Sequence, residues 1–128
     1  MNKVDATNII IEELSPKNFN IKNGGNVKFA NINNGPKKVW WLNIHIDDRL
    51  LNNYHIILNN YNENEFLYIN IPPNILRDNL FKKRFDKTNN KDKLDIEISY
   101  DSSTYLIDTK SGGTRFDFNK YLIKTFKY

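Results

Sequence analysis

The chain contains no cysteine, which excludes disulfides, thiolate metal sites and a cysteine nucleophile. It also lacks a long hydrophobic run. The opening stretch MNKVDATNIIIEEL holds only Ile9–Ile11 before two acids. That is too short for the hydrophobic region of a signal peptide, and no later stretch reaches transmembrane length. The expectation is therefore a cytoplasmic protein without membrane contact. Histidine is scarce, at two residues, and no serine is distinguished as a nucleophile by its surroundings. Internal repeats and linker-like stretches are missing as well. The 128 residues thus read as a single β-rich domain over 1–128 with one hydrophobic core.

What is present is aromatic, basic and rich in asparagine. Tyr, Phe and Trp make up 13% of the chain, a load that disordered chains do not carry. Asparagine pairs such as Asn33-Asn34, Asn52-Asn53, Asn59-Asn60 and Asn89-Asn90 interrupt apolar segments rather than forming a block, which reads as codon bias and not as a prion-like tract. The net charge of +4 is unevenly placed. Residues 77–93 hold seven basic and three acidic side chains, and residues 110–128 hold five and one. The remainder is net acidic. Two basic segments on an acidic body suit a polyanionic or acidic partner.

Turn signals divide the chain into short strands. The pattern predicts strands over 8–13, 19–22 and 27–31, the last two forming a hairpin about Asn23-Gly24-Gly25, where glycine accepts positive φ. KVWWLNIHID, residues 38–47, is the strongest strand candidate. Trp40, Leu42, Ile44 and Ile46 make its apolar face, and Val39, Trp41, Asn43, His45 and Asp47 share the other, which is half polar. Strands follow over 54–58 and 65–71, stopped by Pro72-Pro73. Asn74 is placed to cap a helix over 75–84. At the C-terminal end, Asp117 is placed to cap an amphipathic helix, with Phe118, Tyr121, Leu122, Thr125 and Phe126 on one side and Lys120, Lys124 and Lys127 opposite. The expected fold is mainly β (α+β), an antiparallel sandwich or half-open barrel of about seven short strands with a C-terminal helix.

The residues that could carry chemistry begin with LDIEISYDSSTYLIDTK, residues 94–110, whose alternation predicts a hairpin. With Ser102-Ser103 as its loop, Glu97 stands opposite Asp108 and Asp95 opposite Lys110. Asp95, Glu97, Asp108 and Lys110 then share one face. Clustered carboxylates can share Mg²⁺, which lowers the pKa of an attacking water, while a lysine stabilises the developing charge. An acid on one strand followed by Asp108-Thr109-Lys110 resembles the restriction-type PD-(D/E)xK nuclease motif over about sixteen residues, although no Pro-Asp pair precedes it. The resemblance implies a small Mg²⁺-dependent nuclease. An ordinary solvated hairpin face, with Asp95 and Lys110 as a cross-strand ion pair, accounts for the same residues.

Three further constellations could carry a function. His45, His55 and Asp47 form a possible Zn²⁺ or Fe²⁺ site if the strand over 54–58 pairs back on residues 38–47. Trp41, beside Lys37 and Lys38, is either a stacking platform or interface residue or lies under a second layer. Lys82, Lys83 and Arg84, with Lys120 and Lys124, are placed to contact phosphates or acidic side chains. No helix-turn-helix, zinc-finger or ribonucleoprotein signature accompanies them. The leading expectation is a small non-catalytic binding module, without cofactor, whose partner is nucleic acid or an acidic protein surface. The nuclease is the alternative, and a structural or assembly subunit the second alternative.

Overall fold

The computed structural model describes residues 1–22, 25–46 and 50–128. Asn23, Gly24 and Asp47–Arg49 lie outside them, and with them the tip of the expected 19–31 hairpin and the Asp47 member of the histidine set. The elements run α1 (Lys3–Leu14), β1 (Val27–Asn31), β2 (Val39–His45), β3 (Tyr54–Asn60), β4 (Glu65–Ile71), β5 (Lys82–Asp86), β6 (Lys91–Ser99) and β7 (Leu122–Lys127). Short 3-10 turns occupy Asp78–Leu80, Ser102–Thr104 and Phe118–Tyr121. The protein is mainly β, with seven strands in two sheets and one helix among the described residues.

One sheet has the order β1-β3-β4-β7 and the other β2-β6-β5. Alternation builds the layers. Trp40, Leu42 and Ile44 of β2 stand opposite Ile98, Ile96 and Leu94 of β6, and all six meet Tyr54, Ile56, Leu58, Leu67 and Ile69 from the four-stranded sheet in one buried core. Each fully buried aliphatic side chain there contributes about 1.5–3 kcal/mol. The other face of the four-stranded sheet carries Ile57, Phe66, Tyr68 and Phe126, which pack with Ala6 and Ile10 of α1. The order of layers is helix, four-stranded sheet, three-stranded sheet. Among the described residues, no element covers the part of the three-stranded sheet's outer face around Trp41 and Asn43, whereas its Val39–Ser99 end is buried beside the Ser102–Thr104 turn.

Several expected elements are corrected. The 8–13 segment is not a strand but part of α1. The Asn2 side chain caps the helix by accepting from the Asp5 N–H at 2.9 Å, and Ala6 and Ile10, four residues apart, turn the same face to the sheet. Residues 19–22 form no strand, and β1 pairs in parallel with β3 instead. The 75–84 helix is a 3-10 turn followed by β5. The C-terminal helix is also absent: after a turn capped by Asp117, the chain extends as β7 and pairs with β4. Its apolar stripe survives differently. A register shift near Leu122 lets Leu122 face the sandwich core while Phe126 faces α1. A β-bulge thus accounts for spacing that imitates a helix. No helix among the described residues is long and apolar enough to cross a membrane.

Candidate binding face

The uncovered face is assembled by strand alternation from β2, β6 and β5. Trp41 stands opposite Glu97, Asn43 opposite Asp95, and His45 opposite Lys93. On the other side of β6, Lys82 stands opposite Asp95 and Arg84 opposite Lys93. Since Trp40 takes the core position, its neighbour Trp41 must point outward, and 56% of its surface remains exposed. The alternative of a second layer over Trp41 is not found among the described residues.

The acids on this face lie beneath the cations. Asp95 accepts two hydrogen bonds from Arg84, Nε to Oδ2 at 2.8 Å and Nη2 to Oδ1 at 3.4 Å. Both oxygens of Glu97 accept from Lys37 Nζ at 3.2 Å, and Lys110 Nζ lies 3.6 Å from Oε1. The side chains of Asp95 and Glu97 are only 15% and 8% exposed, against 54% for Arg84 and 63% for Lys37. The carboxylates therefore act as a recessed base that holds cations outward. A cleft of about 230 Å³ opens above them, walled by Trp41, Asn43, Arg84 and Lys110.

Asp108 does not join them. Ser99 donates its N–H to Ile107 O and accepts from the N–H of Leu106, so two residues oppose one, as in a bulge. Leu106 takes φ 59° to allow it. The insertion slips the hairpin by one residue, and Asp108 bridges Ile98 rather than Glu97. A one-residue slip exchanges faces, and Asp108 becomes fully buried. Its Oδ1 accepts from the backbone N–H of Glu97 at 3.1 Å and of Lys110 at 3.0 Å, fixing the turn that follows. Burial raises its pKa, opposed by those two N–H groups. Gly113 accommodates it: a Cβ there would stand 2.8 Å from Oδ2.

The histidine expectation is likewise corrected. β3 belongs to the other sheet, so His45 and His55 lie on faces separated by the sandwich core. His45 Nε2 is 3.9 Å from Asp86. His55 is buried beneath Phe19 and stacked on Tyr68, with Nδ1 2.7 Å from the Tyr68 hydroxyl. Burial lowers its pKa and pushes the Tyr68 hydroxyl up to about 12. Among the described residues, no group of three or more His, Asp or Glu side chains stands where it could hold a metal ion.

No family model, curated protein or solved structure matches this chain. The face must be read from its own chemistry. Of the basic residues singled out in the sequence, Arg84 lines the cleft and Lys82 shares its face, while Lys83, opposite Leu94, points to the other side of β5. Lys124 pairs with Glu13 at 2.7 Å, Lys127 pairs with Glu65, and Lys120 sits exposed in the 3-10 turn. The expected basic helix stripe is thus dispersed. Lys37 and Lys110 supply the cations that sequence reading did not place together. Lys37 is brought beside Glu97 across sixty positions of sequence, and no local pattern encodes that approach.

Proposed function

We propose that this chain is a non-catalytic binding module whose working surface is the outer face of the three-stranded sheet and whose partner is a protein. The observation that carries the reading is Trp41, largely exposed at the wall of a cleft that Arg84 and Lys110 also line. Tryptophan and arginine dominate the energetics of protein interfaces when they sit centrally within a polar rim. The recessed acids favour this partner over nucleic acid. Asp95 and Glu97 already neutralise much of the cationic charge, whereas a phosphate backbone is bound through cations free to release its counterions.

Exposing the wild-type chain and Trp41→Ala to a display library of short random peptides and to labelled single-stranded oligonucleotides tests the reading. Peptide binders that lose affinity with Trp41→Ala are expected. Oligonucleotide retention at low salt that depends on Trp41, with no such peptides, would replace the protein partner with nucleic acid. The nuclease alternative loses support from Asp108, whose oxygen is used by two backbone N–H groups and whose side chain is turned from the cleft.

A further inference from the structure

The three-stranded sheet ends in an open edge. β5 pairs only with β6, and among the described residues no other element hydrogen-bonds to the backbone of Lys82–Asp86. Every second residue of such a strand turns its N–H and C=O away from the sheet, which makes a template for one more strand. The side chains along this edge are unequally engaged. Arg84 is committed to Asp95, while Asp86 accepts from the Thr88 N–H and from Asn89, with His45 3.9 Å away. Lys82 and Lys83 are exposed and pair with no acid among the described residues. Phe85 lies on the same side of the strand as Lys83, and 54% of its surface is exposed. Edge lysines alone repel stray strands. An exposed aromatic ring beside them attracts one, so the edge is selective rather than closed.

We propose that β5 accepts an acidic extended segment of a partner protein as a fourth, antiparallel strand of this sheet. The order of residues in that segment follows from the register. An apolar residue stands opposite Phe85, and the next faces Arg84, whose charge Asp95 already balances. The two after it stand opposite Lys83 and Lys82, and both are Asp or Glu. Residues i and i+2 of a strand share a face. The apolar residue and the first acid therefore meet Phe85 and Lys83 on one side, and the second acid meets Lys82 on the other. Opposite-charge and aromatic cross-strand pairs select the segment, and the backbone bonds of strand addition hold it. Other occupants fit less well. Phosphate oxygens have no N–H to offer the outward carbonyls. A second copy of β5 brings three cations in five residues and no acid free for Lys82 and Lys83. The proposal does not depend on the occupant of the Trp41 cleft.

Fluorescence anisotropy with a labelled peptide of strand length, carrying Phe-Thr-Glu-Glu between threonines, tests it. Replacing both glutamates by glutamine should weaken binding about tenfold, the scale of two cross-strand ion pairs. An antiparallel strand bonds to its neighbour through alternate residues. N-methylation of one alternate set of peptide nitrogens should therefore abolish binding, and methylation of the other set should leave it intact. The double variant Lys82→Glu/Lys83→Glu changes only exposed side chains and, once shown to fold by circular dichroism, should prefer a Phe-Thr-Lys-Lys peptide. Equal binding of the glutamate and glutamine peptides would overturn the proposal, as would tolerance of both methylated forms. So would no binding at about 1 mM peptide. Loss of binding in Trp41→Ala would place the peptide in the cleft and likewise overturn the assignment to the edge.

Discussion

At the scale of single residues, Trp41 and Asp108 exchange the roles that their surroundings in sequence suggest. Trp41 belongs to a hydrophobic strand yet is exposed, so Trp41→Ala should change stability by less than about 1 kcal/mol, measured by denaturant unfolding, while removing peptide binding. Asp108 sits in a polar stretch yet is buried, and its oxygen serves two backbone donors. Asp108→Ala should destabilise the fold by about 1–3 kcal/mol because it leaves those donors without a partner. Asp108→Asn keeps an oxygen for them and should retain most of the stability. An equal loss in both variants would contradict the turn-fixing role. The alternation of Trp41 was legible from the strand pattern. The inward turn of Asp108 was not, because it depends on a bulge at Leu106, a residue with no local signal for positive φ.

At the scale of elements, α1 is held to its sheet chiefly by Ala6 and Ile10. Ile10→Ala should cost about 2–5 kcal/mol, and loss of helical circular dichroism before the β signal on heating would show that α1 docks as a separable unit. The strands β2 and β4 were readable because each alternates or is apolar over its length between turn signals. The ends of the chain misled for opposite reasons. β-branched Ile9–Ile11 favours a strand locally, but Asn2 capping and the burial of one helical face prevail. In β7, an i, i+3, i+4 stripe arises from a bulged strand whose apolar side chains serve two different cores. Local pattern distinguishes these cases only when the partner surface is known.

At the scale of the whole molecule, burial of His55 couples stability to pH. Its folded pKa lies below the ordinary 6.5 because burial disfavours the charged ring. The unfolded chain therefore binds the proton first, and stability falls as pH drops below about 6.5 towards the folded value. Unfolding midpoints measured across that range should decline on acidification, and His55→Gln should flatten the decline. A profile unaltered by the substitution would assign the dependence to other groups. A mainly β chain, most of its strands and the division of β2 side chains between two faces were legible from local pattern, because alternation is a property of a single strand, but that pattern left open whether the Trp41 face is covered. Which strands share a sheet, the meeting of Lys37 and Lys110 at Glu97, and the departure of Asp108 from that group emerge only with the folded chain. Those outcomes depend on pairing between distant segments and on a one-residue register, neither of which is encoded in local periodicity.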